Sequence, residues 1–587
     1  MALRLLAAAL YCLTIPVIAL PANLSNGSDP AVPTVSVKNG TYSGIYSAEY
    51  DQDFFLGMPY AQKAVRFTNP VPLNTAWNST KEATSYPKHC IGYGGDEIGY
   101  ELSEDCLYLN VIRPAGLEDT ADLPVAVWIH GGGLYMGGSA DRRYNLSFIV
   151  DNSVKQGTPL VAVSLNYRLS AFGFLSGNEA LDAGVTNLGF RDQRLALQWV
   201  HENIAAFGGS PDKVTIFGES SGAESVTAQV VAYNGRDDGL FRAAVGESGF
   251  GSILNRYPGG LNATGLQQKT FDNLVRNTSC ASTVGTPDAI PCLRGLPFDE
   301  INYALNVTSI GPWPPCIDGD FLADHPSNQL KNGRFPKVPI LIGANTEEGT
   351  AFGRGLGPNG TGINTDAEFI NAVKAKYLSS DVTESSGKSV NQIIDEILAL
   401  YPNIQSVGIP SLKSWPEVVT PETENVEQLG LQYRRTNALI GDGHMHATRR
   451  LANIAWYDAG LPSWAYRFDV TVNGVPASSA ATHFQEVAFV FYNLNGDGYT
   501  DNPFANTLES YKALALTMSS AWINFITGLD PNGDAVSPEW PQYNTAVGGG
   551  VGQEIVWSAD GSYVEFDDFR ASGIKYIIDH ALDIFGY

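Results

Sequence analysis

Continuous apolar runs bounded by turn residues mark strands buried on both faces, and three stand out at residues 123–129, 160–165 and 214–217. Each is followed by Gly, Asn or a Gly-rich turn. Between the second and third runs, Leu197, Val200 and Ile204 recur at helical spacing over residues 192–207, so the order is strand, helix, strand. That order predicts a parallel α/β sheet, because parallel neighbours need a crossover and a helix is the usual one. Further strands are expected at 241–246, 338–342 (with Pro339 near the start) and 464–468, with helical insertions in the long intervals between them. Residues 405–425, rich in Pro, Ser and Thr, read as a surface loop. With no second core and no internal repeat, residues 20–587 are expected to form one large domain.

Composition narrows the class. At 44% hydrophobic and 17% charged over 587 residues, the chain has the makings of a large core, which excludes disorder, collagen and coiled coil. Sixty-one acidic against 36 basic residues give a net charge of -25, which repels phosphate backbones and leaves nucleic acid a poor partner.

Arg4, the apolar stretch at 5–19 and the small residues around Ala19 predict a secretory signal peptide over 1–19, extending to about residue 22. Nothing later offers 18 uninterrupted apolar residues, so a secreted, extracellular protein without integral membrane association is expected. Nine glycosylation sequons fit that compartment: Asn23, Asn26, Asn39, Asn78, Asn145, Asn262, Asn277, Asn306 and Asn359. Without Cys12 of the signal, five cysteines remain, and short spacings suggest Cys90 with Cys106 and Cys280 with Cys292, leaving Cys316 as a buried, inert thiol.

Candidate chemistry starts at Gly218-Glu-Ser220-Ser-Gly222, which follows an expected strand and precedes an expected helix over 223–230. A sharp strand-to-helix turn that exposes a serine hydroxyl needs residues without side chains two before and two after the Ser. His130-Gly-Gly-Gly133 directly follows the strand at 123–129, and consecutive glycines let a ligand oxygen approach bare backbone N–H groups.

With these motifs in place, the sequence resembles the type-B carboxylesterase/lipase family of α/β-hydrolases, which includes cholinesterases and secreted fungal lipases. Residues 207–222 fit that family's serine signature, and Glu104-Asp-Cys106 through Pro114 fits its disulfide signature. The likeness continues through 166–174, 187–193, 530–532 and 540–543, so it covers nearly the whole mature chain. It implies an α/β-hydrolase fold: a large, mostly parallel central sheet flanked by helices, with helical insertions. It also implies a carboxylic ester hydrolase with an acyl-enzyme on Ser220, an oxyanion hole from Gly132, Gly133 and Ser221, an ester substrate and no cofactor or metal. The triad acid follows the Ser and precedes a Gly; the residues alone do not choose between Glu347 and Glu348, and the family pattern points to Glu348. Of the four histidines after it, His444, His446, His483 and His580, the segment 482–491 resembles the family's histidine loop, which makes His483 the base. His130 belongs to the glycine loop.

Only residues 91–105 separate Cys90 from Cys106, where secreted fungal lipases carry a long lid, so a lid-poor esterase is expected, with lipase or sterol esterase as the alternative. That loop has no Trp to face a quaternary ammonium, which disfavours choline esters. An inactive adhesion relative on the same fold is a remote reading, because every catalytic letter is present. Gly355 to Gly360 matches a dinucleotide fingerprint without its strand and helix, and Asn493 to Gly498 imitates half a calcium loop but has Phe504 where a glutamate ligand is needed.

Overall fold

The computed structural model describes residues 32–118, 120–251, 253, 261–307, 310–379 and 382–587. The expected signal peptide, Asn23 and Asn26 lie outside the described residues.

An eleven-stranded sheet organises the molecule. In chain order its strands are β1 (Ile45–Ser47), β2 (Gln52–Pro59), β3 (Tyr108–Pro114), β4 (Leu123–Ile129), β5 (Val161–Leu165), β6 (Gly209–Glu219), β7 (Ala243–Glu247), β8 (Ile340–Asn345), β9 (Ser463–Phe468), β10 (Gln553–Trp557) and β11 (Tyr563–Phe566). Across the sheet they run β11-β10-β9-β8-β7-β6-β4-β5-β3-β2-β1. The seven strands from β10 to β5 are mutually parallel, and antiparallel strands close both edges.

Alternation along each strand feeds two apolar layers. In β4, Val125, Val127 and Ile129 join the core on one face, while Ala126 and Trp128 join that on the other. Four principal helices cover these faces: α1 (Leu146–Gln156), α2 (Leu188–Asn203), α3 (Ser221–Gly235) and α4 (Glu509–Gly528). Buried residues of α2 and α3 belong to the first core, and those of α1 and α4 to the second.

Six of the seven parallel strands lie where the apolar runs put them, with shifted ends, and β10 (Gln553–Trp557) had no such expectation. β6 begins at Gly209, five residues before its apolar run, because the polar stretch 209–213 still reaches β4 through Gly209 and Leu123 before a register shift at Val214. β8 starts one residue after Pro339, which has no N–H for the ladder. The helix expected at 192–207 starts earlier, at Leu188, and ends at Asn203, followed by a short 3-10 turn. Residues 405–425 have no regular elements, but they are not merely a surface loop: Trp415 and Val419 are buried with Leu429 and Tyr433, and the Arg434 guanidinium donates to the Trp415 and Glu417 carbonyls.

Disulfides join Cys90 to Cys106 and Cys280 to Cys292, and Cys316 is free and buried, its thiol pushed up by burial. Asn78, Asn262, Asn277, Asn306 and Asn359 are exposed, and Asn145 is half-buried, its side-chain oxygen capping α1. Asn39 differs from these in its surroundings. It is buried, and its Nδ2, the atom a glycan would need, donates to the Leu73 carbonyl at 2.9 Å.

Candidate active site

Ser220 occupies the turn between β6 and α3 with φ 56° and ψ -127°, a strained conformation held from both sides. Its N–H donates to the Glu247 carbonyl at the end of β7 (2.9 Å). A Cβ at either Gly218 or Gly222 would run into the carbonyl oxygen of Ile129 at the end of β4, so the two glycines let the elbow press against the neighbouring strand. The glycine loop leaves that same strand end. Gly132 and Gly133 have φ of 98° and 63°, and the Leu134 N–H donates to Ser221 Oγ (3.1 Å), tying the loop to the start of α3.

The candidate acid and base follow β8 and β9 respectively. Glu348 is fully buried; its Oε1 accepts the Asn345 N–H (2.7 Å), and its Oε2 lies 2.7 Å from His483 Nδ1. His483 Nε2 lies 2.8 Å from Ser220 Oγ. With a carboxylate on one side and a hydroxyl on the other, hydrogen bonding selects the neutral tautomer with the proton on Nδ1, leaving Nε2 to accept from Ser220. The edge of Phe352 packs on the imidazole at 4.9 Å between ring centres.

Glu347, the neighbour that sequence alone could not separate from Glu348, faces away. Its carboxylate accepts from Ser414 Oγ (3.0 Å) and the Ala481 N–H (3.0 Å), bracing the segment that carries His483 against the 405–425 stretch. Burial raises the Glu347 carboxyl to about 7. Thr350 Oγ1 and Asn345 Nδ2 hold the same segment through the Ser479 and Thr482 carbonyls.

The sequence reading missed a carboxyl cluster around the imidazole. Glu219 Oε1 lies 3.2 Å from His483 Nε2, and Glu486 accepts from Ser248 Oγ (3.1 Å) and Asn345 Nδ2 (2.5 Å). Burial pushes the Glu219 and Glu247 carboxyls well above their ordinary range and Glu486 to about 7. For His483, burial acts downward, but the carboxylates of Glu219, Glu348 and Glu486 outweigh it and lift the imidazole to about 10. Glu219 was in plain view as the second letter of the serine motif, and Glu486 follows His483 by three. What hid them is the rule that lone acids are solvated.

The remaining candidates fall elsewhere. His130 is buried and stacked on Tyr167, and desolvation lowers it to about 3, so it stays neutral. His446 is buried among Arg449, Arg450, Arg467 and Arg570, and desolvation followed by their charges pushes it far down. Residues 358–360 form a short turn, and Asn493 spends its side chain on backbone groups of its own turn and of Arg143, accepting from the Asp497 N–H and donating to the Arg143 and Asp497 carbonyls. Among the described residues no group of three or more His, Cys, Asp or Glu could hold a metal ion.

Comparison with known proteins places this geometry in a family. The model of the Carboxylesterase family matches residues 31–549. The chain belongs to that carboxylesterase family. Among its relatives, "Secreted lipase 1" of Botryotinia fuckeliana is 31% identical, over 93% of this chain and 93% of that protein. "Lipase 2" of Geotrichum candidum is 32% identical, over 92% of this chain and 93% of that protein. Among solved structures, Aspergillus niger EstA superposes with a TM-score of 0.77 at 26% identity, over 94% of this chain and 99% of that one. The Geobacillus stearothermophilus carboxylesterase EST55 gives 0.69 at 28% identity, over 92% and 99%. This carboxylesterase-family chain therefore has the α/β-hydrolase fold and the family's activity, carboxylic ester hydrolysis.

Proposed function

We propose that the protein is a secreted, glycosylated serine esterase that works through an acyl-enzyme on Ser220, and that it is poor in lid. The observation that carries the first part is the chain of contacts from Glu348 to His483 to Ser220, at 2.7 and 2.8 Å. His483 Nε2 takes the Ser220 proton as Oγ bonds to the ester carbonyl carbon, and the Glu348 carboxylate stabilises the imidazolium. The N–H groups of Gly132, Gly133 and Ser221 hold the oxyanion. The carbon–oxygen bond to the alcohol then breaks, with the leaving oxygen protonated by His483. Water, deprotonated by the same imidazole, cleaves the acyl-enzyme, and the acid leaves as Ser220 regains its proton. Residues 20–587 act as one catalytic unit in this reading, supported by a sheet that draws strands from Ile45 to Phe566.

For the second part, the loop between Cys90 and Cys106 is both short and tied down. The Tyr93 N–H donates to the Tyr135 carbonyl (2.7 Å), Glu97 Oε1 accepts the Gly137 N–H (2.8 Å), and Asp96 pairs with Arg143 (2.7 Å). A loop bonded to the glycine loop has little freedom to swing. Velocity on tributyrin should rise smoothly through the solubility limit, whereas a jump at the onset of emulsion would favour a mobile lid. The lipase names of several relatives keep lipase or sterol esterase as the second reading. Secretion is supported by the apolar N-terminal stretch and by a relative described as secreted; among the described residues no helix is long and apolar enough to cross a membrane.

The base must be neutral to accept a proton. Because the surrounding carboxylates raise the His483 pKa, the neutral form is lost as pH falls through a value above the free imidazole's roughly 6.5. The acid limb of kcat/KM should therefore lie on the alkaline side of 6.5. A limb at or below 6.5 would show that the carboxylates do not govern the imidazole.

A further inference from the structure

Residues 483–486 form a turn, and within it Phe484 has a φ of 75°. That left-handed value suits glycine, because a Cβ there crowds the following carbonyl oxygen. A bulky aromatic residue keeps it only where the surroundings impose it. The peptide joining Phe484 to His483 is planar and rigid, so whatever fixes Phe484 also fixes the chain at His483.

The hold on Phe484 comes through its ring. The Arg143 guanidinium lies over that ring, 4.7 Å from its centre and within cation–π range, and the Tyr499 ring packs on it at 6.4 Å. Arg143 is itself pinned by two carboxylates: its Nε donates to Asp141 (2.9 Å), and its Nη2 pairs with Asp96 (2.7 Å). A planar guanidinium can bond carboxylates along its edge and still stack on a ring, which a lysine ammonium cannot do. Asp96 belongs to the loop between Cys90 and Cys106, so one cation ties that loop to the turn after His483. On the other side of His483 the chain is held by hydrogen bonds, from the Ala481 N–H to Glu347 and from Asn345 Nδ2 to the Thr482 carbonyl.

We infer that Arg143 is a positioning residue for the base: its guanidinium anchors the Phe484 ring, and the anchored ring keeps the strained turn that sets His483 against Ser220. The inference rests on the reading of His483 as the base. Without the anchor, residue 484 is free to relax toward negative φ, which turns the chain at His483 and moves the imidazole off the Ser220 hydroxyl. Proton transfer is steeply sensitive to such displacement, whereas substrate binding does not involve this contact, so the loss falls on kcat.

The test is a double-mutant cycle on p-nitrophenyl butyrate with wild type, Arg143→Met, Phe484→Leu and the double variant, joined by Phe484→Tyr and His483→Ala, each checked for folding by circular dichroism. Each single variant of the cycle should lose about tenfold in kcat with KM within about twofold, the scale of a partly desolvated cation–π contact. The double variant should also lose about tenfold rather than about a hundredfold, because both changes remove one contact. Phe484→Tyr keeps a ring under the cation and should restore kcat to within about twofold of wild type. Wild-type kcat in either single variant, additive losses, or losses confined to KM overturn the inference. If Arg143→Met does not fold, the two Phe484 variants decide: a tenfold higher kcat for Tyr than for Leu supports it, and equal values overturn it. If His483→Ala loses turnover while the cycle goes against expectation, only this inference falls; if His483→Ala turns over like wild type, the reading beneath it falls.

Discussion

Replacing Ser220 with Ala is expected to lower kcat on p-nitrophenyl butyrate by a factor on the order of 10⁴ to 10⁶, the range seen when a serine hydrolase loses its nucleophile. The size follows from the absence of a substitute nearby. Ser221 Oγ accepts the Leu134 N–H and donates no contact to His483 among the described hydrogen bonds, and the Cys316 thiol is buried with its pKa pushed up. The backbone at residue 220 is held by the Glu247 carbonyl and by the close approach of Gly218 and Gly222 to β4, none of which involves Oγ. The variant should therefore melt close to wild type. A variant that keeps more than a tenth of wild-type kcat would point to another nucleophile.

Changing Glu348 to Gln is expected to cost about 10⁴-fold in kcat near neutral pH, as a carboxamide does in comparable triads. The carboxylate accepts from Nδ1–H and so keeps Nε2 free of a proton. A carboxamide turned to donate toward Nδ1 favours the other tautomer, with the proton on Nε2, where it blocks acceptance from Ser220. It also removes the charge that stabilises the imidazolium. Glu347→Gln is the matched control, because Glu347 bonds Ser414 and the Ala481 N–H and does not reach the imidazole. That variant should lose less than about tenfold in kcat, with any larger change appearing as lower stability, since a neutral amide still fits a site where burial already raises the carboxyl to about 7. Equal losses in the two variants would contradict the choice of acid.

The parts of this molecule that sequence made legible are those where burial and chemistry act on neighbouring residues. Apolar runs such as 123–129 could only be strands covered on both faces, and β4 follows them to the residue. The serine turn was readable because its two glycines answer a local steric demand. Strands near the two ends of the sheet escaped notice for the opposite reason. β11, with no fully buried residue, carries too weak a pattern, and β2 mixes Gln52 and Asp53 into its buried positions. Asp53 is tolerated there because Arg113 of β3 pairs with it at 3.0 Å, a partner 60 residues away.

The same distance in sequence hid most of the site. Residue types announced Ser220 and the glycine loop, but proposing Glu348 over Glu347 and His483 over three other histidines needed a family pattern, because nothing local distinguishes an acid that faces an imidazole from one that braces a loop. The Glu219 and Glu486 carboxyls were missed because a buried acid is visible only once its neighbours are known. Asn39 shows the converse, a sequon with correct letters whose amide donates a hydrogen bond inside the fold.

The most direct check on the central claim is covalent. Exposure to a fluorophosphonate should add one phosphonyl group per chain, and mass spectrometry of the peptide spanning 209–235 should place it on Ser220 with loss of esterase activity in proportion. Modification elsewhere, or full esterase activity with Ser220 fully labelled, would mean that this hydroxyl is not the one the imidazole activates.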